Sequence, residues 1–259
     1  MGTSTLNRWA DEGRILCRRT AGGHRRFTPN AVEALLRTQT GAPDPGVWHG
    51  WTERMLSAPD AGALRAQLLM ARSEMGSWRV VADLIAPAVI ELGERWARGE
   101  LSIVDEHLAS ARLSRALAAI VESLPVSPEA PTVILATPES EEHTLGLAFA
   151  ELCAREAGLR THWVGARTPV EDLARKIEET TQLACVTVSA SAFSADAGEL
   201  GHTVATLARA CDAVGAALVV GGSGAWPEPM PTGSRLRSYT SYGALLGSVR
   251  GETPLQSVA

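Results

Sequence analysis

Lysine is almost missing from this chain: of 24 basic residues, only Lys176 is a lysine. Aromatic residues make up 5%, and within that small set Trp (7) outnumbers Phe (3) and Tyr (2) together. The four cysteines, Cys17, Cys153, Cys185 and Cys211, have no CxxC spacing, which excludes a zinc knuckle and a disulfide framework. No apolar run approaches the roughly 18 residues of a membrane span, and the N-terminus has no apolar signal region, so a soluble cytoplasmic protein is expected. No Walker loop, zinc dyad or catalytic triad is legible. Gly221-Gly-Ser-Gly-Ala225 is one residue short of a nucleophile elbow, so no enzymatic activity is expected. A net charge of −5 excludes a molecule-wide polyelectrolyte for nucleic acid. What is present is an ordinary folding mixture, 45% hydrophobic and 20% charged, with a tryptophan excess suited to flat contacts with planar ligands.

The charge is unevenly spread. Residues 1–38 hold seven Arg against three acids, so a small basic module is fused to an acidic body. Residues 39–47, with two Pro and two Gly, read as a linker. Residues 48–123 are helical in pattern, with helices expected near Trp48–Leu56, Ala61–Met75, Trp78–Ala97 and Ser102–Glu122, packed as a four-helix bundle. Pro87 is expected to kink the third, Gly99 to close it, and Ser102-Ile-Val-Asp105 to open the fourth as a capping box. Residues 124–131 form a second, Pro-rich linker. From 132 to 259 short apolar runs (Thr132–Thr137, Arg160–Val164, Ala184–Ser189, Ala216–Val220, and a fainter Leu236–Thr240) alternate with helical patterns (Thr144–Ala157, Pro169–Thr180, Ala195–Val214). That alternation predicts an α/β, doubly wound parallel sheet.

Ligands of such sheets bind at the carboxyl ends of the strands. The first strand runs there into Glu141-x-His143-x-x-Gly146. A carboxylate two residues from an imidazole can take one ring N–H and leave the other nitrogen as a metal ligand. Gly146 leaves room at the first turn of the next helix. The third strand ends in Ser189-Ala-Ser191, and the fourth in Gly221-Gly222, where the missing side chains would clear space beside the strand edge. Together these features predict a long ligand slot.

This constellation resembles the cobalamin-binding domain of corrinoid proteins, whose pattern is Asp-x-His-x-x-Gly, then Ser-x-Leu, then Gly-Gly at similar intervals. Glu141 stands for the Asp and Ser191 for the Leu. The resemblance implies a Rossmann-like, flavodoxin-like fold, with His143 as the lower cobalt ligand and Ser189, Ser191, Gly221 and Gly222 around the displaced tail of the cofactor. In the helical region, Trp96, nine intervening residues and Glu106-His107 resemble the Trp-x9-Glu-His motif of the CarH/LitR-type light-sensing regulators. The resemblance implies that Trp96, Glu106 and His107 enclose the 5′-deoxyadenosyl group of adenosylcobalamin. In well-known members a His follows the Trp and ligates cobalt after illumination. Ala97 stands here and cannot do so. Some relatives add a bilin as a second chromophore; no decisive bilin signal is legible here, though the Trp-rich bundle could hold a second flat ligand.

The basic end, Thr5–Gly13 followed by Arg18-Arg-Thr-Ala-Gly-Gly-His-Arg-Arg-Phe27, resembles the winged helix-turn-helix of MerR-type regulators. Thr5–Glu12 would be the recognition helix and Arg18–Phe27 the wing, turned at Gly22-Gly23, with Thr28 and Pro29 starting a helix over Asn30–Arg37. Arg18, Arg19, His24, Arg25 and Arg26 suit phosphate contact. The chain starts inside the motif, so either its start lies upstream, it has been trimmed, or the module has decayed; in that last case binding to DNA would be non-specific and salt-sensitive.

The implied function is a cobalamin-dependent, light-sensing transcription regulator that binds operator DNA as a homo-oligomer, dimer or tetramer, with no membrane partner. Two alternatives stand beside it. One is a corrinoid methyl carrier. The other is a photoreceptor that binds a bilin or other tetrapyrrole with or instead of cobalamin.

Overall fold

A computed structural model describes residues 17–19, 25–27, 45–192, 197–228 and 236–239. The chain divides into two compact units, Met1–Trp48 and His49–Ala259. In the first, strands β1 (Cys17–Arg19) and β2 (Arg25–Phe27) pair antiparallel, with Arg18 opposite Arg26 and Arg19 opposite Arg25. Both strands fall in the segment expected to form the wing. The recognition helix, His24, the Gly22-Gly23 turn and the helix at Asn30–Arg37 lie outside the described residues.

Helix α1 spans Pro45–Ser57, α2 Ala61–Met75, α3 Trp78–Ala97 and α4 Ile103–Ser123. The start of α1 corrects the expected linker, whose last three residues are helical. A proline at the first helical position has its φ already set and gives up only an N–H that needs no partner, so here it opens a helix. Helix α3 runs on through Pro87. The caps account for the other ends. Asp60 accepts from the amide of Ala63 at 2.8 Å, and Ser77 from that of Arg79 at 3.2 Å. Gly99, at φ +72°, lets the chain leave α3 with its amide on the Trp96 carbonyl. Ser102 accepts from the Asp105 amide at 3.1 Å and gives its own proton to the Asp105 carboxylate at 2.6 Å, a variant of the expected box.

Strands β3 (Thr132–Ala136), β4 (Arg160–Gly165), β5 (Leu183–Ser189), β6 (Ala217–Gly221) and β7 (Leu236–Tyr239) form one parallel sheet in the order β4-β3-β5-β6-β7. The reversal of order falls at β3, beside β5, and the loop after β3 carries His143. Helices α6 (Val170–Glu179) and α7 (Ala197–Val214) pack against each other and close one core, in which Leu173, Ile177, Val204 and Leu207 meet Ile134, Val186, Val188, Leu218 and Val220. Helix α5 (Leu145–Glu156) buries Leu147, Ala148, Phe149, Ala150, Leu152, Cys153 and Ala154, a set too wide for one face. It packs on β3, β4 and β5 and also on α3 and α4, so the sheet and the helical layer share it.

A polar latch fixes this shared helix. Glu156, at the end of α5, accepts from the amide of Trp78 at 2.9 Å, the Ser77 hydroxyl at 3.2 Å and the Arg72 guanidinium at 2.9 Å. It thereby caps the start of α3 with a charge that suits a helix N-terminus. Arg155 donates to the carbonyl of Leu124, just past the end of α4, at 2.5 Å.

The tryptophans divide accordingly. Trp51 and Trp78 are core, whereas Trp96 and Trp163 stand out to solvent, and the Trp226 indole donates to the Gly221 carbonyl at 3.1 Å. Cys153, Cys185 and Cys211 are buried, and burial pushes the Cys185 and Cys211 thiols up to about 12, so neither offers a thiolate near neutrality. Among the described residues no helix is long and apolar enough to cross a membrane.

Candidate functional site

The site is built on the loop between β3 and α5. Its centre is Glu141, whose side chain is fully buried. One carboxylate oxygen, Oε1, accepts from the main-chain amide of His143 at 2.6 Å and from His143 Nδ1 at 2.7 Å. The other, Oε2, accepts from the amide of Ser191 at 2.5 Å. An ionised carboxylate can only accept, so Nδ1 carries a proton and donates it to Glu141. Ser191 Oγ lies 3.3 Å from the same Nδ1. The His143 ring is 56% exposed, and its Nδ1 edge is held by the buried carboxylate. Gly146 is the second residue of α5, half-buried.

Two neighbouring loops complete the sheet edge. Ser189 ends β5 and is buried. The amide of Ala190 donates to the carbonyl of Gly221, the last residue of β6, at 3.1 Å. Gly222 has φ +85°, and a Cβ there would lie 2.2 Å from the carbonyl oxygen of Ala190 and 3.2 Å from Ser189 Oγ. The space that a side chain at Gly222 would take is filled by the protein's own loop, so this glycine permits contact between the β5 and β6 loops. Gly222→Ala is expected to cost on the order of 3 kcal/mol, from left-handed backbone and a main-chain clash, and a urea melt measures it.

The helical residues sit at the far ends of α3 and α4 from the Glu156 and Arg155 latches. Trp96 is 41% exposed, in the last turn of α3. Glu106, in the first turn of α4, is mostly buried and accepts from Ser110 Oγ at 2.6 Å. His107 is 72% exposed, with Nε2 3.8 Å from Glu106 Oε2. Ile103, Val104 and Leu108, in the same stretch of α4, are exposed. Ala97 closes α3 and offers no donor atom. The main chains of Arg18, Arg19, Arg25 and Arg26 lie in the β1–β2 hairpin, and His24 lies outside the described residues.

Sequence reasoning did not find Thr137 and Arg167. The Thr137 hydroxyl donates to the Glu141 carbonyl at 2.6 Å and accepts from the Arg167 amide at 3.1 Å. Nor did it find the Ser191 amide as an anchor, having chosen that residue for its hydroxyl.

Residues 55–120 match the B12 binding domain family. The chain is 32% identical over 133 residues to the HTH-type transcriptional repressor CarH of Myxococcus xanthus, covering 49% of this chain and 43% of CarH. It is 32% identical over 89 residues to the HTH-type transcriptional repressor CarA of the same organism, covering 34% of this chain and 29% of CarA. The chain thus spans less than half the length of these curated relatives. In fold it is similar to the monomethylamine corrinoid protein of Methanosarcina barkeri, with a TM-score of 0.57 and 11% identity over 77% of this chain and 93% of that one.

Proposed function

We propose that this relative of the CarH and CarA repressors is a cobalamin-dependent, light-sensing transcription regulator, not an enzyme. The observation that carries the reading is the Glu141–His143 pair, in which a fully buried carboxylate holds Nδ1 at 2.7 Å on a ring that is 56% exposed. One imidazole nitrogen on a rigid mount suits a metal that brings its own equatorial ligands, as the cobalt of a corrin does. The residues present therefore fit the group.

His143 would hold the cobalt from below. Ser189, Ser191, Gly221 and Gly222, at the carboxyl ends of β5 and β6, would line the slot for the cofactor's tail. Trp96 would lie as a flat apolar lid on the upper side, with Glu106 and His107 as hydrogen-bond partners for a ribose. The latches support this pairing of lid and ligand. Helices α3 and α4 are tied at the end of α5, and their opposite ends carry the lid, as the opposite end of α5 follows His143. When bound, adenosylcobalamin supplies a cobalt–carbon bond that light breaks. Contacts from Trp96, Glu106 and His107 to the adenosyl group would favour one arrangement of α3 and α4, and their loss would release the other. Arg18, Arg19, His24, Arg25 and Arg26 would contact the phosphates of operator DNA, and the protein would act as a dimer or tetramer.

The test is to add adenosylcobalamin in darkness, record the absorption spectrum and the mass by size exclusion, and then illuminate. A cobalamin spectrum that changes with light, together with a change in mass, is expected. A spectrum and mass that both stay constant would sink the proposal.

A further inference from the structure

We infer that Thr137 is a positioning residue for the cobalt-ligating imidazole: its hydroxyl fixes the main chain of Glu141 and, through Glu141, the ring of His143. This rests on the reading of His143 as the lower ligand. Thr137 is the first residue past β3 and is buried. Its main-chain groups are both committed to the neighbouring loop, the amide to the Gly165 carbonyl at 2.9 Å and the carbonyl to the Thr168 amide at 3.2 Å. The side chain is thereby held still. Its single hydroxyl proton goes to the Glu141 carbonyl at 2.6 Å, the next acceptor being the Pro138 carbonyl at 3.4 Å, and its lone pair takes the Arg167 amide at 3.1 Å.

The Arg167 amide also reaches the Glu141 carbonyl at 3.0 Å. One hydroxyl therefore joins three segments: the end of β3, the loop that carries His143, and the loop after β4. Arg167 has φ +55°, a conformation that a residue other than glycine rarely adopts. Its side chain points away, exposed and 3.8 Å from Glu142, so its working group here is the main-chain N–H. Unusual backbone held in place by its surroundings is a mark of functional sites.

The chemistry requires a hydroxyl. Valine has nearly the same shape, but a methyl carbon needs about 3.5 Å from the Glu141 carbonyl oxygen where the hydroxyl now sits at 2.6 Å. Thr137→Val therefore pushes the Glu141 main chain outward by roughly 1 Å, beyond the ~0.5 Å tolerance of a ligand constellation. Thr137→Ser keeps the bonding oxygen, and Thr137→Ala removes it without the wedge.

The experiment loads the full chain with cob(II)inamide, which has no benzimidazole of its own, and records its electron paramagnetic resonance, in which a nitrogen of His143 on the cobalt would split the lines into triplets; affinity is measured separately with cobalamin. The wild type is expected to show the triplets. Thr137→Val is expected to lose them in most molecules and to bind cobalamin about tenfold more weakly, while Thr137→Ser restores both. Thr137→Ala is expected to fall between, and it decides the matter if the valine variant does not fold by circular dichroism. Wild-type triplets and affinity in a folded Val or Ala variant would overturn the inference, as would a serine variant no better than valine. A wild type that lacks the triplets overturns the ligand assignment itself, so the two failures are distinguishable.

Discussion

His143→Ala is expected to weaken cobalamin binding by about a hundredfold, the upper end of what supporting residues alone contribute at metal sites, while leaving the unfolding temperature nearly unchanged. The first effect follows from the loss of the exposed imidazole that is proposed as the cobalt ligand. The second follows from where the ring sits. It is 56% exposed, and its bond to Glu141 is one of three that the carboxylate accepts. Removing it leaves Glu141 bonded to the amides of His143 and Ser191, so the loop keeps its shape. Titration with cobalamin in darkness and a thermal melt by circular dichroism separate the two quantities. Unchanged affinity would remove His143 from the site.

Glu141→Ala should behave in the opposite sense, with a large loss of stability as well as of binding. Its carboxylate is the acceptor for the main-chain amides of His143 and Ser191, which lie 48 positions apart in sequence. Without it, both N–H groups lose their partner at a part-buried position, at about 1–3 kcal/mol each. A total near 4 kcal/mol lowers the unfolding temperature of a unit this size by roughly 10 °C. Glu141→Gln keeps the volume but presents an NH2 group to one set of donors, so it is expected to recover only part of the loss. If Glu141→Ala melted like the wild type, the carboxylate would not be the tie between the two loops. Together the variants separate the residue that meets the ligand from the residue that holds it.

Local signals in the sequence were a good guide wherever the physics is local. The capped helix ends at Asp60, Ser77, Gly99 and Ser102 and the β-branched runs of β3, β5 and β6 fall within a residue or two of their expected places, because caps and strand periodicity involve neighbours in the chain. The Glu141–His143 pair was legible for the same reason, since its geometry spans two residues. The latch of Glu156 on Trp78, the seat of Thr137 on Arg167 and the pressure of Ala190 on Gly222 were not. Each joins residues about thirty to eighty positions apart, and no period or spacing in a single sequence encodes such a meeting. Pro45 misled for a different reason: proline both ends helices and opens them, and the composition of residues 39–47 does not say which.

The shared helix α5 bears on how such a protein can change over time or be re-engineered. The string at 124–131 looks like a natural seam, but an exchange there would not transplant a self-contained part. A replacement for α1–α4 would arrive without the surface that its last two helices were fitted to, because that surface belongs to α5 and is encoded on the far side of the seam. Hybrids should succeed only when the outward residues of α5, Glu156 among them, travel with the incoming helices. Homologous chains should therefore exchange the stretch from α1 through α5 as one heritable block.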